Sequence, residues 1–158
     1  MQIICDKLGV TMELKDMSFE TVLTAVPAGK IDVGMSGITV TEKRQKNMLF
    51  TDPYCLAAQA IVVPEGSAIT SKADLTGKKI AVQTATTAEE YCLANKYSVS
   101  AFEANADAET ALLQGKVDAW VIDDLTAAAM VADHNASSDT KLVILEEAMT
   151  TEPYAFAF

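Results

Sequence analysis

The chain has 158 residues, of which 50% are hydrophobic and 22% are charged, and its formal net charge is −10. This composition is typical of a globular protein with one large domain or two small lobes, and it argues against a disordered chain. A surface with this charge repels phosphate backbones, so nucleic acid is not an expected partner, and no apolar run approaches the roughly 18 residues of a membrane span.

In the first half of the chain, the hydrophobic periodicity alternates between helix and strand. The predicted helical segments are Met1 to Leu8, Phe19 to Ala28 and the polar turn Thr41 to Lys46. The predicted strands are Val10 to Leu14, Ile31 to Met35 and Ala57 to Val63. Pro27 falls in the last turn of the second helix, where its missing N–H group is expected to shorten that helix.

The second half of the chain continues the alternation. The predicted strands are Lys79 to Val82, Val99 to Phe102, Val117 to Ile122 and Leu142 to Leu145. The predicted helices are Thr87 to Asn95, Asp107 to Gln114 and Leu125 to His134, and Thr87-x-x-Glu90 predicts a capping box at the start of the first of them. Alternating strands and helices predict an α/β fold with mostly parallel sheets flanked by helices.

A weak internal repeat relates the two halves. Residues 25–33 and 111–119 each combine a helix end, a Gly-Lys turn and the start of a strand that carries Asp. Glycine suits such a helix end because it accepts the left-handed backbone conformation. The repeat predicts two similar α/β lobes.

Charged and polar residues follow the predicted strands at the sheet edge where ligands of α/β proteins bind. Arg44 lies beyond the first repeat strand, Asp123 follows the second, and Thr86 and Thr87 follow Lys79 to Val82 at a helix start. A guanidinium binds a carboxylate with two parallel hydrogen bonds, and the N–H groups of a helix start add donors to the same anion. Since an aspartate can hold an ammonium group, these residues match the two ends of a zwitterion.

Each of these residues also has an ordinary structural explanation. Arg44 alone is explained as a solvated helix residue near Glu42. Asp123 alone is explained equally well as the cap of the helix that begins at Leu125, and the threonines as caps of their own helix. Capping and ligand binding are compatible at one helix start, so the alternatives stay open at this point.

Other chemistry has little support in the sequence. His134 is the single histidine, and its polar surroundings at a helix end indicate a surface position. The three cysteines Cys5, Cys55 and Cys92 lie far apart and are expected to be buried or semi-buried thiols. No P-loop, GxSxG or HExxH motif occurs, so we expect no cofactor, no metal site and no catalytic residue.

Several stretches together resemble the family 3 periplasmic solute-binding proteins, the polar amino-acid receptors of ABC importers. They follow in register over nearly the whole chain, and the ordered set is far more specific than any one piece. The matching residues are Phe19, Gly29-Lys30-Ile31-Asp32, Ser36-Gly37-Ile38-Thr39-Val40-Thr41-x-x-Arg44, Phe50-Thr51-Asp52-Pro53-Tyr54, Asp74-Leu75-x-Gly77-Lys78-Lys79, Gly115-Lys116-Val117-Asp118-Ala119 and Thr151-Glu152-Pro153-Tyr154.

The resemblance implies a two-lobed, type II clamshell that closes around its ligand. Residues 1–60 are expected to form part of lobe 1, 61–66 the first hinge, 67–148 lobe 2, and 149–158 the second hinge and a return strand to lobe 1. The first strand of the family and the stretch after the second crossing have no counterpart here, and no signal peptide is visible. We therefore interpret the chain as a fragment with an incomplete lobe 1, which should expose apolar surface.

The resemblance also implies that a free L-amino acid binds between the lobes. Arg44 corresponds to the clamp on the α-carboxylate, helped by the backbone amides of Thr39 and Thr87, and Asp123 corresponds to the partner of the α-ammonium group. Gly37 and Thr39 are expected to add ammonium contacts from lobe 1, with only the backbone available at Gly37, where many relatives have serine.

Phe19 is expected to form an aromatic wall over the ligand, and Thr86 a contact from lobe 2. The expected partners are the membrane permease subunits of the importer, and the full-length protein is expected to be a monomer, either periplasmic or a lipoprotein anchored at the outer face of a membrane. Two alternatives remain: the ligand-sensing extracellular domain of a receptor, and a cyclohexadienyl dehydratase-like enzyme on the same fold. The enzyme needs an acid or base beside the ligand, and the sequence singles out none.

Overall fold

Six α-helices and eight strands form two lobes, each built on its own sheet. A computed structural model describes residues 1–158. The helices are α1 (Gln2–Leu8), α2 (Phe19–Ala25), α3 (Glu42–Gln45), α4 (Thr87–Ala94), α5 (Asn105–Leu113) and α6 (Asp124–Ser137), with a 3₁₀ helix at Lys72–Leu75. The strands are β1 (Gly34–Thr39), β2 (Cys55–Ala57), β3 (Gln59–Pro64), β4 (Lys79–Gln83), β5 (Ser98–Phe102), β6 (Ala119–Asp123), β7 (Leu142–Ile144) and β8 (Glu152–Ala157).

Lobe 2 is built on a five-stranded sheet with the order β5-β4-β6-β3-β7. Because side chains alternate across a strand, β6 sends Trp120 to one face and Val121 to the other. Trp120 packs in a cluster with α5 and α6, whereas Val121 packs in a second cluster with α4. Helices therefore cover both faces of the sheet. Because β4 and β6 are parallel neighbours, their carboxyl ends lie along the same edge.

Lobe 1 is built on a three-stranded sheet with the order β1-β8-β2. One face of this sheet carries α2, whose Val22 packs with Val26, Ile38, Met48 and Ala157. The short helix α3 follows β1 at the edge of the lobe. None of the six helices is long and apolar enough to span a bilayer.

The α/β class and the two-lobed architecture are confirmed, but the strand directions differ from the expectation of mostly parallel sheets. In lobe 2, β4 is parallel to β5 and β6, whereas β3 is antiparallel to β6 and β7. In lobe 1, every pairing is antiparallel. In lobe 1, the middle strand β8 arrives from lobe 2 and inserts between β1 and β2. No helical crossover joins it to either neighbour, so it is not required to run parallel to them.

The chain crosses from lobe 1 to lobe 2 at Ala58, between β2 and β3. The predicted strand Ala57 to Val63 is therefore the end of one strand and most of another, in different sheets. Residues 61–66, expected to form the first hinge, lie in β3 and the turn after it, inside lobe 2. The N–H group of Ala58 donates to Asp124 Oδ1 at 3.1 Å, and its carbonyl oxygen accepts from the N–H group of Asp124 at 2.8 Å.

Local differences from the predicted elements have clear causes. Val10 to Leu14 is not a strand, because no other strand pairs with this exposed segment. Helix α2 ends at Ala25, earlier than predicted and before Pro27. The predicted capping box at Thr87 is wrong: Thr86 is the N-cap, and its hydroxyl accepts a hydrogen bond from the N–H group of Glu89 at 3.2 Å, whereas the Glu89 carboxylate accepts from the N–H group of Ala85.

Candidate ligand-binding site

A cleft of about 710 Å³ lies between the two lobes. Lobe 1 lines it through the start of α2, β1, α3 and β8, and lobe 2 through the ends of β4 and β6 and the starts of α4 and α5. All seven residues expected to contact a ligand line this one cleft: Phe19, Gly37, Thr39, Arg44, Thr86, Thr87 and Asp123. The topology thus brings together side chains that are up to 104 positions apart in the sequence, from Phe19 to Asp123.

The Arg44 guanidinium is held in the cleft by carbonyl oxygens from both lobes. Nη1 donates to Thr39 O at 2.9 Å, and Nη2 donates to Ala85 O at 3.1 Å. The Phe19 ring lies beneath the guanidinium, with its centroid 5.5 Å from Cζ, in a cation–π arrangement. Since a guanidinium has five N–H donors, those not used by the two carbonyls remain for a ligand.

Burial lowers the pKa of Arg44, because desolvation penalises the charged form. Nearby carboxylates oppose this effect, Glu90 first and then Glu152 and Asp123. The guanidinium stays protonated at neutral pH, since arginine does not lose its proton in proteins. A partly buried cation with spare donors facing a cleft is suited to an anionic group.

The start of α4 adds backbone donors to the same cleft. Helical hydrogen bonding begins with the N–H group of Glu90, which donates to Thr86 O at 3.2 Å. The N–H groups of Thr87 and Ala88 therefore have no acceptor within the helix, and both residues line the cleft. A helix start of this kind favours an anion.

The Asp123 carboxylate lies at the carboxyl end of β6 and is held by two side chains. Oδ1 accepts a hydrogen bond from Gln59 Nε2, and Oδ2 accepts one from the Tyr154 hydroxyl. It does not cap α6 through its side chain. Instead, Asp124 Oδ1 accepts from the N–H group of Leu125 at 2.7 Å, which leaves Asp123 facing the cleft.

Burial raises the pKa of Asp123 from 3.8 to about 6. The negative charges of Glu152 and Asp124 act in the same direction, whereas the hydrogen bonds from Tyr154 and Gln59 oppose it. The carboxylate is thus a largely desolvated anion that lacks a cationic partner in contact with it. Such a group is suited to an ammonium ion.

Gly37 brings the lobe 1 backbone close to the same point. Its φ is +56°, a left-handed conformation that glycine adopts readily. A Cβ atom there would lie 3.1 Å from Cε2 of Tyr154, the residue that donates to Asp123. Only a glycine permits this close approach without displacing the ring.

Three buried polar residues of this region were missed by the sequence analysis as site residues: Gln59, Glu152 and Tyr154. Gln59 had a signal, since it is the one polar residue in the apolar run from Ala57 to Val63. Glu152 accepts from Thr150 Oγ1 at 2.5 Å through one oxygen, and its other oxygen has no partner. Its one signal, shared with Tyr154, is its place in the matching stretch Thr151-Glu152-Pro153-Tyr154.

The remaining candidates lie away from the cleft. His134 is near the end of α6, where Nε2 is 2.8 Å from Thr140 O and Nδ1 is 3.7 Å from a Glu109 carboxylate oxygen. The cysteines are unpaired: Cys5 and Cys92 are buried and Cys55 is partly buried, as expected.

The chain is similar to several known amino-acid-binding proteins. The chain is 34% identical over 147 residues to the glutamine-binding protein of Geobacillus stearothermophilus, covering 90% of this chain and 54% of that protein. It is 32% identical over 128 residues to the arginine-binding extracellular protein of Bacillus subtilis, covering 78% of this chain and 50% of that protein. The chain thus spans about half the length of the curated relatives it matches.

Solved structures show the same fold. The arginine-bound form of truncated ArgBP from T. maritima has a TM-score of 0.90 and 38% sequence identity, covering 98% of this chain and 72% of that one. The family model of the bacterial extracellular solute-binding proteins, family 3, matches residues 1–114. On these grounds, the chain belongs to the family 3 bacterial extracellular solute-binding proteins.

Proposed function

We propose that this protein binds a free L-amino acid between its lobes, as the substrate-binding component of an amino-acid ABC importer. One observation carries the proposal: Arg44 from lobe 1 and Asp123 from lobe 2 line the same cleft. A free amino acid carries a carboxylate and an ammonium group on one carbon atom. A guanidinium and a desolvated carboxylate complement those two charges.

The roles follow from the chemistry of each group. The free N–H donors of Arg44 and the N–H group of Thr87 hold the α-carboxylate, and Asp123 accepts from the α-ammonium group. Gly37 and Thr39 contribute backbone contacts from lobe 1, and Thr86 contributes one from lobe 2. Phe19 covers the ligand with its ring and, through the cation–π contact at 5.5 Å, helps to fix the guanidinium.

The charges of the cleft favour a ligand with a cationic side chain. Its lining includes one cation, Arg44, and four carboxylates, those of Asp16, Glu103, Asp107 and Asp123. The α-groups of the ligand engage Arg44 and Asp123, which leaves three further carboxylates in the cleft lining, all on exposed residues. Two proteins similar to this chain have names or titles that specify arginine. We therefore propose that arginine binds more tightly than glutamine, and glutamine more tightly than glutamate.

Ligand binding is coupled to closure of the lobes in this proposal. The structure already has contacts across the cleft, including Lys43 Nζ to Glu90 Oε1 at 2.5 Å. A ligand that bridges Arg44 and Asp123 adds to those contacts, so it favours the closed arrangement. The permease subunits of the importer are the proposed partners of the closed form. The proposed location is the periplasm or, with a lipid anchor, the outer face of a membrane.

We propose further that the protein does no covalent chemistry; the relatives named above are binding proteins. One observation favours the enzyme alternative, since a carboxyl group with a pKa of about 6 in a cleft is suited to acid or base catalysis. Turnover separates the two functions. Formation of product from prephenate or arogenate would contradict a pure binding role.

Isothermal titration calorimetry with L-arginine, L-glutamine and L-glutamate tests the proposal. Arg44→Ala is expected to cost about 2–5 kcal/mol of binding free energy, because a desolvated carboxylate loses its partner. Lys46→Ala is the matched control, since Lys46 is an exposed cation just past the same short helix, and it should bind as the wild type does. If none of the twenty amino acids binds to the wild type, the function is wrong. If Arg44→Ala binds amino acids as tightly as the wild type does, the assignment of Arg44 to the α-carboxylate is wrong.

A further inference from the structure

We propose that Gln59 is a positioning residue that fixes the separation between the two ligand-binding groups of lobe 2, the Asp123 carboxylate and the start of α4. This inference rests on the proposed function. Gln59 does not line the cleft itself, but it holds both of these ligand-binding groups in place.

The burial of Gln59 calls for an explanation. It begins β3, its side chain has no solvent exposure, and the residues after it in the strand are apolar. A buried amide is costly unless its hydrogen-bonding groups are satisfied, and here Oε1 has no partner. An apolar side chain would avoid that cost, so the value of this amide must lie in its donors.

The two hydrogen bonds that the amide donates connect the Asp123 carboxylate with the start of α4. One N–H of Nε2 donates to Asp123 Oδ1, and the other donates to Thr87 Oγ1 at 3.1 Å. Gln59 and Asp123 also stand directly opposite each other in the β3–β6 ladder. Because an ionised carboxylate only accepts hydrogen bonds, the NH₂ end must face Asp123, and Oε1 is left unpaired.

The backbone of Gln59 is itself fixed where the chain returns towards lobe 1. Its N–H group donates to Thr150 Oγ1 at 3.0 Å, and its carbonyl oxygen accepts from the N–H group of Met149 at 2.9 Å. The side chain therefore extends from an anchored residue to two ligand-binding elements. The ammonium and carboxylate groups of an amino acid have a nearly constant separation, so a fixed distance between their partners reduces the entropy lost on binding.

Removing the amide changes the surroundings of the carboxylate in a defined way. Asp123 would retain the Tyr154 hydroxyl as its side-chain donor, while Glu152 on β8 and Asp124 at the start of α6 would still repel it and Arg44 would still attract it from across the cleft. A donated hydrogen bond favours the ionised form, so its loss raises the pKa of Asp123 above its value of about 6.

The test is a calorimetric titration with L-arginine between pH 5 and 8, on the wild type and Gln59→Met. Methionine is unbranched, similar in length and has no donor. For the wild type, affinity should fall as the pH drops through about 6, where Asp123 takes up a proton. For Gln59→Met, affinity at pH 8 should be about tenfold weaker, and the midpoint of the fall should move to higher pH. A merely structural role does not move that midpoint.

Asn135→Leu is the matched control. Asn135 is likewise an amide that makes two side-chain hydrogen bonds, to the carbonyl oxygen of Leu142 at 2.9 Å and from its N–H group at 2.8 Å. It is only partly buried, and it contacts neither Asp123 nor Thr87. Its loss should lower the melting temperature and leave the affinity and the pH midpoint unchanged.

Gln59→Asn keeps a polar amide but is too short to reach both acceptors, and it serves as a second variant. Wild-type affinity with a wild-type pH midpoint in either folded variant would overturn the positioning role alone. If both variants fail to fold, the role of Gln59 is purely structural and the positioning role is wrong. No binding of any amino acid to the wild type would overturn the proposed function as well.

Discussion

The guanidinium of Arg44 in lobe 1 donates a hydrogen bond to the carbonyl oxygen of Ala85 in lobe 2, at 3.1 Å. Ala85 has a φ of 63°, in the left-handed region that costs a residue with a Cβ atom about 1–2 kcal/mol. Its N–H group donates to Glu89 Oε2 at 2.7 Å, which helps to hold this conformation. The turn before α4 thus presents a carbonyl to the cleft at the expense of local strain.

Ala85→Gly is expected to raise the free energy of unfolding by about 0.5–1 kcal/mol, since glycine adopts the left-handed conformation without strain but gains entropy in the unfolded chain. Affinity for the amino acid should change less than twofold, because the carbonyl remains. Urea unfolding and calorimetry measure the two effects. Lys96→Gly is the control, since Lys96 has a φ of 60° outside the cleft and should be stabilised equally. If Ala85→Gly is less stable than the wild type, the backbone of Ala85 is not strained.

Arg44 and Asp123 could be predicted as a pair because strand ends can be located from local patterns. One of the repeated Gly-Lys turns precedes β1 and the other precedes β6, so the ends of both strands can be located. Ligands of open α/β sheets bind beyond the carboxyl ends of strands. The two charges alone match the two ends of a zwitterion. The structure places both in one cleft, whereas their contact with a ligand stays a prediction.

Features that depend on long-range pairing could not be predicted in this way. The insertion of β8 between β1 and β2 joins segments roughly 100 residues apart, and nothing local in the sequence of Glu152–Ala157 specifies its neighbours. The crossing point at Ala58 is hidden because only this one residue separates β2 from β3, and the run they form is apolar except for Gln59. The bonds from Gln59 to Asp123 and Thr87 depend on that same pairing.

Asp123→Asn is expected to stabilise the ligand-free protein at pH 7 by about 1–3 kcal/mol while weakening amino-acid binding. Burial raises the pKa of Asp123 from 3.8 to about 6, so between about pH 4 and 6 the folded protein holds a proton that the unfolded chain releases. The contribution of this group to stability is therefore fully present below that window and is lost as the pH rises through it. Asparagine does not titrate, and the Tyr154 hydroxyl can turn to accept from its amide.

Urea unfolding at pH 4, 5, 6 and 7 checks this trade-off. The loss of stability with rising pH should be smaller in Asp123→Asn than in the wild type. Asp118→Asn is the control, because Asp118 is exposed, accepts from the N–H group of Lys79 at 2.7 Å and leaves Asp123 in place. Parallel pH profiles for Asp123→Asn and the wild type would show that residue 123 does not carry the titration.

The ion pair between Lys43 of lobe 1 and Glu90 of lobe 2 is expected to contribute modestly to closure. The side chains are 78% and 49% exposed, and pairs with such exposure are worth at most about 1 kcal/mol. Lys43→Ala should therefore weaken binding by about two- to fivefold, and 0.5 M NaCl should largely remove the difference, since salt screens exposed charges. Calorimetry at low and high salt measures this.

A double-mutant cycle with Glu90→Gln isolates the pair from the effect of Glu90 on Arg44. Lys15→Ala is the control, because Lys15 pairs with Glu13 at 3.6 Å within lobe 1 and does not span the cleft. If the cycle is additive, or if high salt does not reduce the loss of affinity in Lys43→Ala, then this ion pair does not contribute to closure.

Gly37→Ala is expected to damage both stability and binding, and Gly29→Ala to damage stability alone. Both glycines have left-handed backbones, with φ of +56° and +65°, so alanine should cost each about 1–2 kcal/mol of stability. A Cβ atom at residue 29 meets nothing within 4 Å, whereas at residue 37 it lies 3.1 Å from the Tyr154 ring. Tyr154 donates to Asp123, so only Gly37→Ala should displace the carboxylate and weaken amino-acid binding several-fold. Calorimetry and urea unfolding compare the two variants. Equal affinities would mean that the Tyr154 ring yields without disturbing Asp123.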